Sequence, residues 1–161
     1  MVVLKKSNIR EATDSDISTL LDLSVKMHAE GSYRDIKFSK EKMENFLRKK
    51  INNTNSLVIV WSTHTNQIFG FFIADIVEYF FSYEKVVLDT IFFIIKEKRK
   101  SIGAKLLLDS YIKWAKSNNV KEIVLSTTND VEVEKIEKMY SKLDFTKSGV
   151  LYKKGVNYKE T

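Results

Sequence analysis

The chain has 161 residues, of which 27 are Lys or Arg and 21 are Asp or Glu, so its formal net charge is +6 at pH 7. This length fits one domain with its own core, and the absence of Cys excludes disulfides and thiolate sites. No apolar stretch is long enough to predict a membrane span or a signal peptide, and only two histidines, His28 and His64, are available to a metal, so we expect a cytoplasmic protein without a metal centre.

The first third of the chain predicts a short strand and two helices. Residues 8–13 indicate the strand, and Thr13 with Asp16 forms a candidate capping box for a helix that carries apolar residues at helical spacing. Ser39 is a candidate cap for the second helix. The connection over residues 28–38 is polar.

The next segment predicts an antiparallel hairpin. Residues 55–63 and 67–78 are rich in β-branched and aromatic residues and flank a turn at 64–66. Gly70 inside the second strand indicates a bulge or a close approach of another backbone. A longer aromatic turn over residues 79–84 leads to the next strand.

The stretch over residues 86–108 predicts a buried strand, a basic turn and a helix. Apolar residues dominate up to Ile95, and helix-period apolar spacing begins at Ile102. Such a turn leaves the first N–H groups of the helix unpaired, and these groups attract anions. The cations around the turn are Lys96, Lys98, Arg99, Lys100 and Lys105. The pattern therefore predicts a site for a phosphate-bearing ligand.

The last part of the chain predicts a strand, a helix and two further strands. Residues 121–127 form a strand parallel to the preceding one, because a helical crossover joins them. Asn129 or Asp130 is a candidate cap for the last helix. Two short terminal strands are expected over residues 145–154, and residues 156–161 read as a tail.

The basic turn resembles the cofactor motif of the GNAT superfamily of acyl-CoA-dependent N-acyltransferases, Arg/Gln-x-x-Gly-x-Gly/Ala. With Arg99 as the first residue, Ile102 replaces the first Gly and Ala104 fills the last position. With Lys98 first, Ser101 replaces the first Gly and Gly103 is the second. The first register is preferred, because the pairs Leu107-Leu108 and Trp114-Ala115 then fall where the family carries similar residues.

Three further segments resemble the same family. The string IREATDSDI is similar to the family's usual opening, and residues 68–72 are similar to its apolar-Gly-apolar pattern. The string KMYSKLDF resembles Tyr-x-x-x-Gly-Phe on the last helix, with Asp144 in place of the Gly. The whole sequence is similar to small GNAT-like proteins of phages and bacteria, which implies the host cytoplasm if the gene is a phage's.

This resemblance implies a fold and a way of binding coenzyme A. The fold is an α/β (α+β) single GNAT-like domain over residues 1–155, with a mixed, mostly antiparallel sheet of six to seven strands and about four helices. Its central parallel strand pair is splayed to admit coenzyme A. The backbone of Phe93, Ile94 and Ile95 is expected to pair with pantetheine. The pyrophosphate is expected at the N–H groups of Arg99, Lys100, Ser101, Ile102, Gly103 and Ala104.

The candidate catalytic residues are Tyr140, Asp89 and Glu78. By resemblance, Tyr140 donates a proton to the coenzyme A sulfur; its alternative role is a core aromatic. Asp89 interrupts an apolar strand, and a desolvated carboxylate suits a base. Its alternative is a structural bond to a lysine or a backbone amide. Glu78 is a second candidate base, and the two carboxylates could instead hold a cationic amine.

The resulting prediction is an N-acetyltransferase that transfers acetyl from acetyl-CoA to a primary amine by direct attack in a ternary complex. The amine, a small molecule or a protein, is unidentified. The alternative is a catalytically silent acyl-CoA-binding module that acts through a protein partner. Scattered charge and the lack of a recognisable module argue against nucleic-acid binding. Dimers are common in the family, which makes a homodimer a further expectation.

Overall fold

The computed structural model describes residues 8–127 and 132–156. The chain divides into two compact units, one ending at Ser126 and the other beginning at Thr127. The candidate caps Asn129 and Asp130 lie outside the described residues. In the described ranges, none of the helices is both long and apolar enough to cross a membrane. The single domain over residues 1–155 stays a prediction.

The first unit is built on a mixed sheet. In the described residues it has five strands in the order β1-β2-β3-β4-β5, the last two parallel and all other neighbours antiparallel. The strands are β1 (Asn8–Glu11), β2 (Ser56–Ser62), β3 (Ile68–Glu78), β4 (Lys85–Ile94) and β5 (Glu122–Val124). The helices are α1 (Ile17–Glu30), α2 (Lys40–Ile51) and α3 (Gly103–Ser117), with α4 (Val133–Ser141) in the second unit. A mixed, mostly antiparallel sheet and four helices are thus confirmed.

The strand count differs from the prediction of six to seven. Residues 145–154 form no strand, although two short ones were expected there. The apolar residues of this segment face solvent, with Val150 66% and Tyr152 88% exposed. They form one short run between lysines instead of an alternating pattern, so they offer no apolar face that a sheet could bury.

The starts of the first two helices follow the predicted caps. Thr13 and Asp16 form the capping box, which closes a 3₁₀ turn over Asp14–Asp16 directly before α1. Arg10 donates two hydrogen bonds to the Asp16 carboxylate at 2.7 and 2.8 Å. At α2 the N–H of Lys42 donates to the Ser39 hydroxyl at 3.2 Å.

Helices cover both faces of the sheet. On one face, residues of β3 and β4 join Leu20 of α1 and Leu47 of α2 in one buried cluster. The sheet residues of this cluster include Phe71, Ile73, Ile91 and Phe93. On the other face α3 packs on the sheet, and the ring of Tyr111 lies 4.6 Å from that of Phe72.

Gly70 satisfies both expectations placed on it. The β2–β3 register shifts between Trp61 and Ser62, beside Gly70, which is the predicted bulge. A β-carbon at Gly70 would also lie 2.6 Å from the carbonyl oxygen of Phe93. Only glycine allows β4 to approach this closely.

Candidate functional site

A bulge interrupts β4 in its middle. Ile91 pairs with Ile73 and Asp89 with Ala74, so Thr90 has no partner residue in β3. A bulge of this kind bends the strand and shifts the alternation of its side chains by one residue. Ile91 therefore points into the α1–α2 cluster, whereas Asp89 lies on the opposite face.

The parallel pair of β4 and β5 is short. Pairing runs from Val86 to Leu88 in β4 and ends at Val124 in β5, while β4 itself continues to Ile94. In the part of the chain that the structure describes, the second half of β4 therefore has no neighbour on that edge. This is the splayed pair that the resemblance implied.

The open edge presents a defined set of backbone groups. The N–H of Ile95 donates to the carbonyl of Phe69 at 2.9 Å, which fixes the phase of the antiparallel ladder. By alternation, Phe93 also bonds toward β3, whereas the backbone groups of Phe92 and the N–H of Ile94 face the open edge. The Ile94 carbonyl accepts a hydrogen bond from Arg99 Nε at 3.0 Å. Ile94 is 6% exposed, so little water can reach its N–H. An unpaired N–H at such an edge is satisfied by a hydrogen-bonding ligand or by water.

Of the three residues predicted to pair with pantetheine, Ile94 has the suitable orientation. Phe93 faces β3. Both backbone groups of Ile95 are already paired, since its carbonyl accepts the N–H of Lys98 at 2.9 Å. Phe92, which the sequence did not single out, takes their place on the open edge. No local signal in the sequence distinguishes Phe92, because the bulge determines which residues of β4 face the open edge.

Asp89 lies where the two strands part. Its carboxylate accepts the N–H of Ser126 at 2.9 Å and the Ser126 hydroxyl at 3.0 Å. Close by, the Tyr111 hydroxyl donates to the carbonyl of Val124, the last paired residue of β5, at 2.8 Å. Burial raises the pKa of Asp89 above its ordinary value, and the two bonds from Ser126 only partly oppose this. The predicted alternative of a backbone-amide partner is thus present, and the raised pKa also suits a base.

Glu78 does not share this position. It is exposed at the end of β3 and pairs with Lys85, whereas Asp89 pairs with Ala74, four residues back along β3. Four residues of strand span about 13 Å. The structure therefore does not bring Glu78 and Asp89 into one pocket.

The basic turn after β4 carries a cluster of free N–H groups. A 3₁₀ turn over Lys96–Lys98 is followed by α3, which starts at Gly103. The N–H of Ser101 donates to Lys98 at 3.2 Å and that of Arg99 to Lys96 at 3.4 Å. From Lys100 to Lys105, five N–H groups have no backbone acceptor among the described residues. They belong to Lys100, Ile102, Gly103, Ala104 and Lys105. Together with the positive end of the helix dipole, they form an anion-binding surface.

The side chains of the turn have two kinds of role. Arg99 is bound to the Glu30 carboxylate at the end of α1, and its Nε donates to the carbonyl of Ile94 at 3.0 Å. Its Nε and Nη2 therefore fix the turn. Lys96 and Lys100 are exposed and make no ion pair among the described residues. They are the cations that can meet a phosphate.

The motif departures have structural explanations. The Ile102 side chain, at the position of the first motif Gly, is 59% exposed. Gly103 is buried, and its α-carbon faces the Trp61 ring so closely that no β-carbon fits. This glycine therefore serves helix–sheet packing. Asp144, which replaces the Gly after Tyr140, has φ of 63° and so keeps the left-handed conformation that glycine favours.

Tyr140 lies on α4 in the second unit. It is buried, its ring centroid is 6.1 Å from that of Phe145, and its carbonyl accepts the N–H groups of Leu143 and Phe145. The N–H of Phe145 reaches it at 3.1 Å across the left-handed residue Asp144. This packing fixes the ring within its own unit.

One charged residue was missed by sequence reasoning. Asp75 of β3 accepts bonds from Lys50, Ser56 and the bulge residue Thr90. The only signal is a lone Asp in the apolar strand IFGFFIADIVE, the same signal that drew attention to Asp89. Its partners lie 15 to 25 positions away in the chain, so the sequence alone could not reveal them.

Two other findings bear on ligands. In the described part of the chain, no group of three or more His, Cys, Asp or Glu side chains is arranged to hold a metal ion. A pocket of about 380 Å³ lies between the end of α2, the start of β2 and Trp114 of α3. None of the predicted site residues lines it.

Comparison with known proteins relates the fold to acetyltransferases. No family model matches the chain, and no curated protein matches it in sequence. A probable acetyltransferase of known structure has a TM-score of 0.73 at 19% identity, over 96% of this chain and 99% of its own. A Trypanosoma brucei acetyltransferase has a TM-score of 0.72 at 17% identity, over 94% and 100%. An aminoglycoside acetyltransferase from an uncultured soil metagenomic sample, in complex with sisomicin, has a TM-score of 0.69 at 15% identity, over 94% and 97%. The chain therefore has the fold of these acetyltransferases.

Proposed function

We propose that the protein is a GNAT-type N-acetyltransferase that uses acetyl-CoA and acts on a primary amine. The observation that carries this proposal is a pair of neighbouring sites with unpaired backbone groups. One is the open edge of β4 at Phe92 and Ile94, and the other is the set of free N–H groups at Lys100, Ile102, Gly103, Ala104 and Lys105. A long ligand with amide groups at one end and phosphates at the other matches these two sites.

Each of the two sites has a role in binding. The backbone groups of Phe92 and the N–H of Ile94 would pair with the pantetheine amides, and the free N–H groups of the turn would hold the pyrophosphate. Lys96 and Lys100 would add two positive charges. When bound, acetyl-CoA supplies an activated thioester; the protein supplies position, proton transfer and exclusion of water.

Two residues would move protons. Asp89 has the raised pKa that a base needs to accept a proton from an ammonium, directly or through water. Tyr140 would donate its hydroxyl proton to the departing thiolate. Glu78, at the outer end of the β3–β4 hairpin, would contact a cationic acceptor instead of sharing the base's role.

The acceptor is best sought among cationic amines. One structural neighbour is an aminoglycoside acetyltransferase determined with sisomicin. Aminoglycosides are therefore the first amines to screen, followed by small alkyl amines and peptide amines. A homodimer and a cytoplasmic site of action belong to the same proposal.

The first experiment is thermal melting with acetyl-CoA and with coenzyme A, each at 1 mM. Binding to the folded state raises the midpoint by mass action, and a ligand at about 100 times its Kd stabilises by about 2.7 kcal/mol. A rise with both ligands, followed by amine-dependent thiol release, is the expected result. Binding without thiol release for any amine would favour the silent acyl-CoA-binding module. No rise with either ligand would overturn both readings.

A further inference from the structure

Asp75 joins three elements through one carboxylate. Its Oδ1 accepts bonds from Lys50 Nζ of α2 and Ser56 Oγ of β2, each at 2.6 Å. Its Oδ2 accepts the hydroxyl of Thr90 in β4 at 2.9 Å. The side chains of Asp75 and Lys50 are 16% and 19% exposed. Burial opposes ionisation of Asp75, yet these three donors together hold its pKa below the ordinary value.

The third bond falls on the bulge residue itself. Thr90 is the one residue of β4 without a partner in β3, so no ladder position constrains its backbone. The neighbouring Leu88 pairs with Asp75, which places the Thr90 and Asp75 side chains on the same face of the sheet. The hydroxyl–carboxylate bond therefore fixes the extra residue at this point of the strand.

The bulge decides which backbone groups reach the open edge. On the N-terminal side of the bulge, the backbone groups of Lys85 face β5, since the Lys85 carbonyl accepts the N–H of Lys121 at 2.7 Å. Continued alternation without an extra residue would bring Ile91 and Phe93 to that edge. With Thr90 as the extra residue, Phe92 and Ile94 reach it, while Ile91 and Phe93 bond toward β3.

We propose that Asp75 is a positioning residue that holds Thr90 in the bulge and so sets the β4 groups available to acetyl-CoA. The inference rests on the proposed function for the identity of the ligand. The arrangement of β4 is a property of the free protein, and it can be tested without any ligand.

The decisive variant is Thr90→Val, compared with Thr90→Ser. Valine keeps the branched shape but cannot donate to Asp75, whereas serine keeps the hydroxyl. Because Thr90 is exposed, neither change removes core packing. Ser56→Ala is the matched control, because it removes a bond to the same carboxylate but leaves the Thr90 bond intact.

Three readouts test the proposal. By hydrogen exchange, T90V should lose protection at least tenfold at the amides of Ile91 and Phe93, while T90S and S56A match the wild type. By titration, T90V should bind acetyl-CoA about tenfold more weakly, with T90S restoring the affinity. In turnover, the KM for acetyl-CoA should rise in T90V while the KM for the amine stays unchanged.

The outcomes separate this inference from the proposed function. Unchanged exchange in T90V would overturn the role of Asp75, whatever the protein binds. Equal loss in T90V and T90S would also overturn it, because the hydroxyl would then not matter. If the wild type fails to bind acetyl-CoA, the proposed function falls, and the exchange data still decide whether Asp75 holds the bulge.

Discussion

Gly103 at the start of α3 lies directly against the indole of Trp61 in β2. A β-carbon placed on Gly103 would be 2.2 Å from Cε3 and 2.4 Å from Cζ3 of the ring. The anion-binding turn is therefore attached to the sheet by contact between a backbone and an aromatic face. Because Trp61 is 3% exposed, the ring has little space to withdraw.

Gly103→Ala should destabilise the protein by about 1–3 kcal/mol, the usual cost of overpacking. The loss is expected even though alanine favours helices more than glycine does. Urea denaturation measures it, and Gly149→Ala is the control, because a β-carbon there meets no atom within 4 Å. Equal unfolding midpoints for wild type and G103A would contradict the packing argument.

The double variant K96Q/K100Q should weaken acetyl-CoA binding about tenfold at low salt, from two lost charge interactions. It should also reduce the dependence of the Kd on salt, since fewer charges are screened. Titration calorimetry at two salt concentrations checks both effects. K113Q, which removes a charge from an exposed position further along α3, is the control and should leave the Kd unchanged. The prediction fails if K113Q and the double variant behave alike.

Asp89→Asn should lower kcat by about 100-fold, because the proposed base is removed. The amide can still accept the N–H of Ser126 and donate to its hydroxyl, so the fold should be retained. Burial raises the pKa of Asp89, so the ionised group destabilises the folded state once the pH exceeds that pKa. D89N should therefore be at least as stable as the wild type at pH 7, as measured by urea denaturation.

The same residue sets an expected pH profile. A base acts in its deprotonated form, so kcat/KM should rise with pH through a pKa above the ordinary Asp value of about 3.9. D89N should lose this rising limb while keeping any limb at higher pH. If the rising limb persists in D89N, the group that titrates there is not Asp89.

Acid should destabilise the first unit through Asp16. Hydrogen bonds from Arg10 are the main reason why the pKa of Asp16 lies below its ordinary value, although burial acts in the opposite direction. A depressed pKa contributes stability above the unfolded value of about 3.9, and this is lost as the pH falls through the folded-state pKa. D16N should lower the urea midpoint at pH 6 and much less at pH 2.5. D22N, which changes an exposed aspartate of α1, should lower it at neither pH.

Tyr140→Phe should separate catalysis from binding. The ring keeps its packing against Phe145, so the variant should still fold, and acetyl-CoA should still raise its melting midpoint. Thiol release should fall about 100-fold if the hydroxyl protonates the leaving thiolate. The measurements are the acetyl-CoA melting shift and a thiol assay. Full turnover by Y140F would show that the hydroxyl is not needed for catalysis and that Tyr140 is a core aromatic.

Local patterns predicted the elements of the first unit well. The capping box at Thr13, the cap at Ser39 and the close approach at Gly70 follow from residue types that act within a few positions. The parallel pairing of β5 followed from chain connectivity. The terminal strands were wrong, because a single apolar run over residues 150–152 was given more weight than the lysines around it.

The candidate site was only partly accessible from sequence. The basic turn was visible as a local run, and its free N–H groups follow from the strand–turn–helix order. The bulge was not visible, because Thr90 is neither glycine nor unusual in a strand, and its partner Asp75 lies 15 positions away. The sequence singled out Phe93, Ile94 and Ile95 together, because it does not show which residues of β4 face the open edge, and the bulge places Phe92 and Ile94 there.

The bulge at Thr90 also has a consequence for how this chain can diverge. Removing Thr90 would make Asp89 and Ile91 consecutive, and their present pairs with Ala74 and Ile73 would then form a regular ladder. Ile91 and Phe93 would keep their places in the buried cluster. In aligning this chain with other proteins of its fold, a one-residue gap at Thr90 thus marks a strand without the bulge and not a rebuilt core.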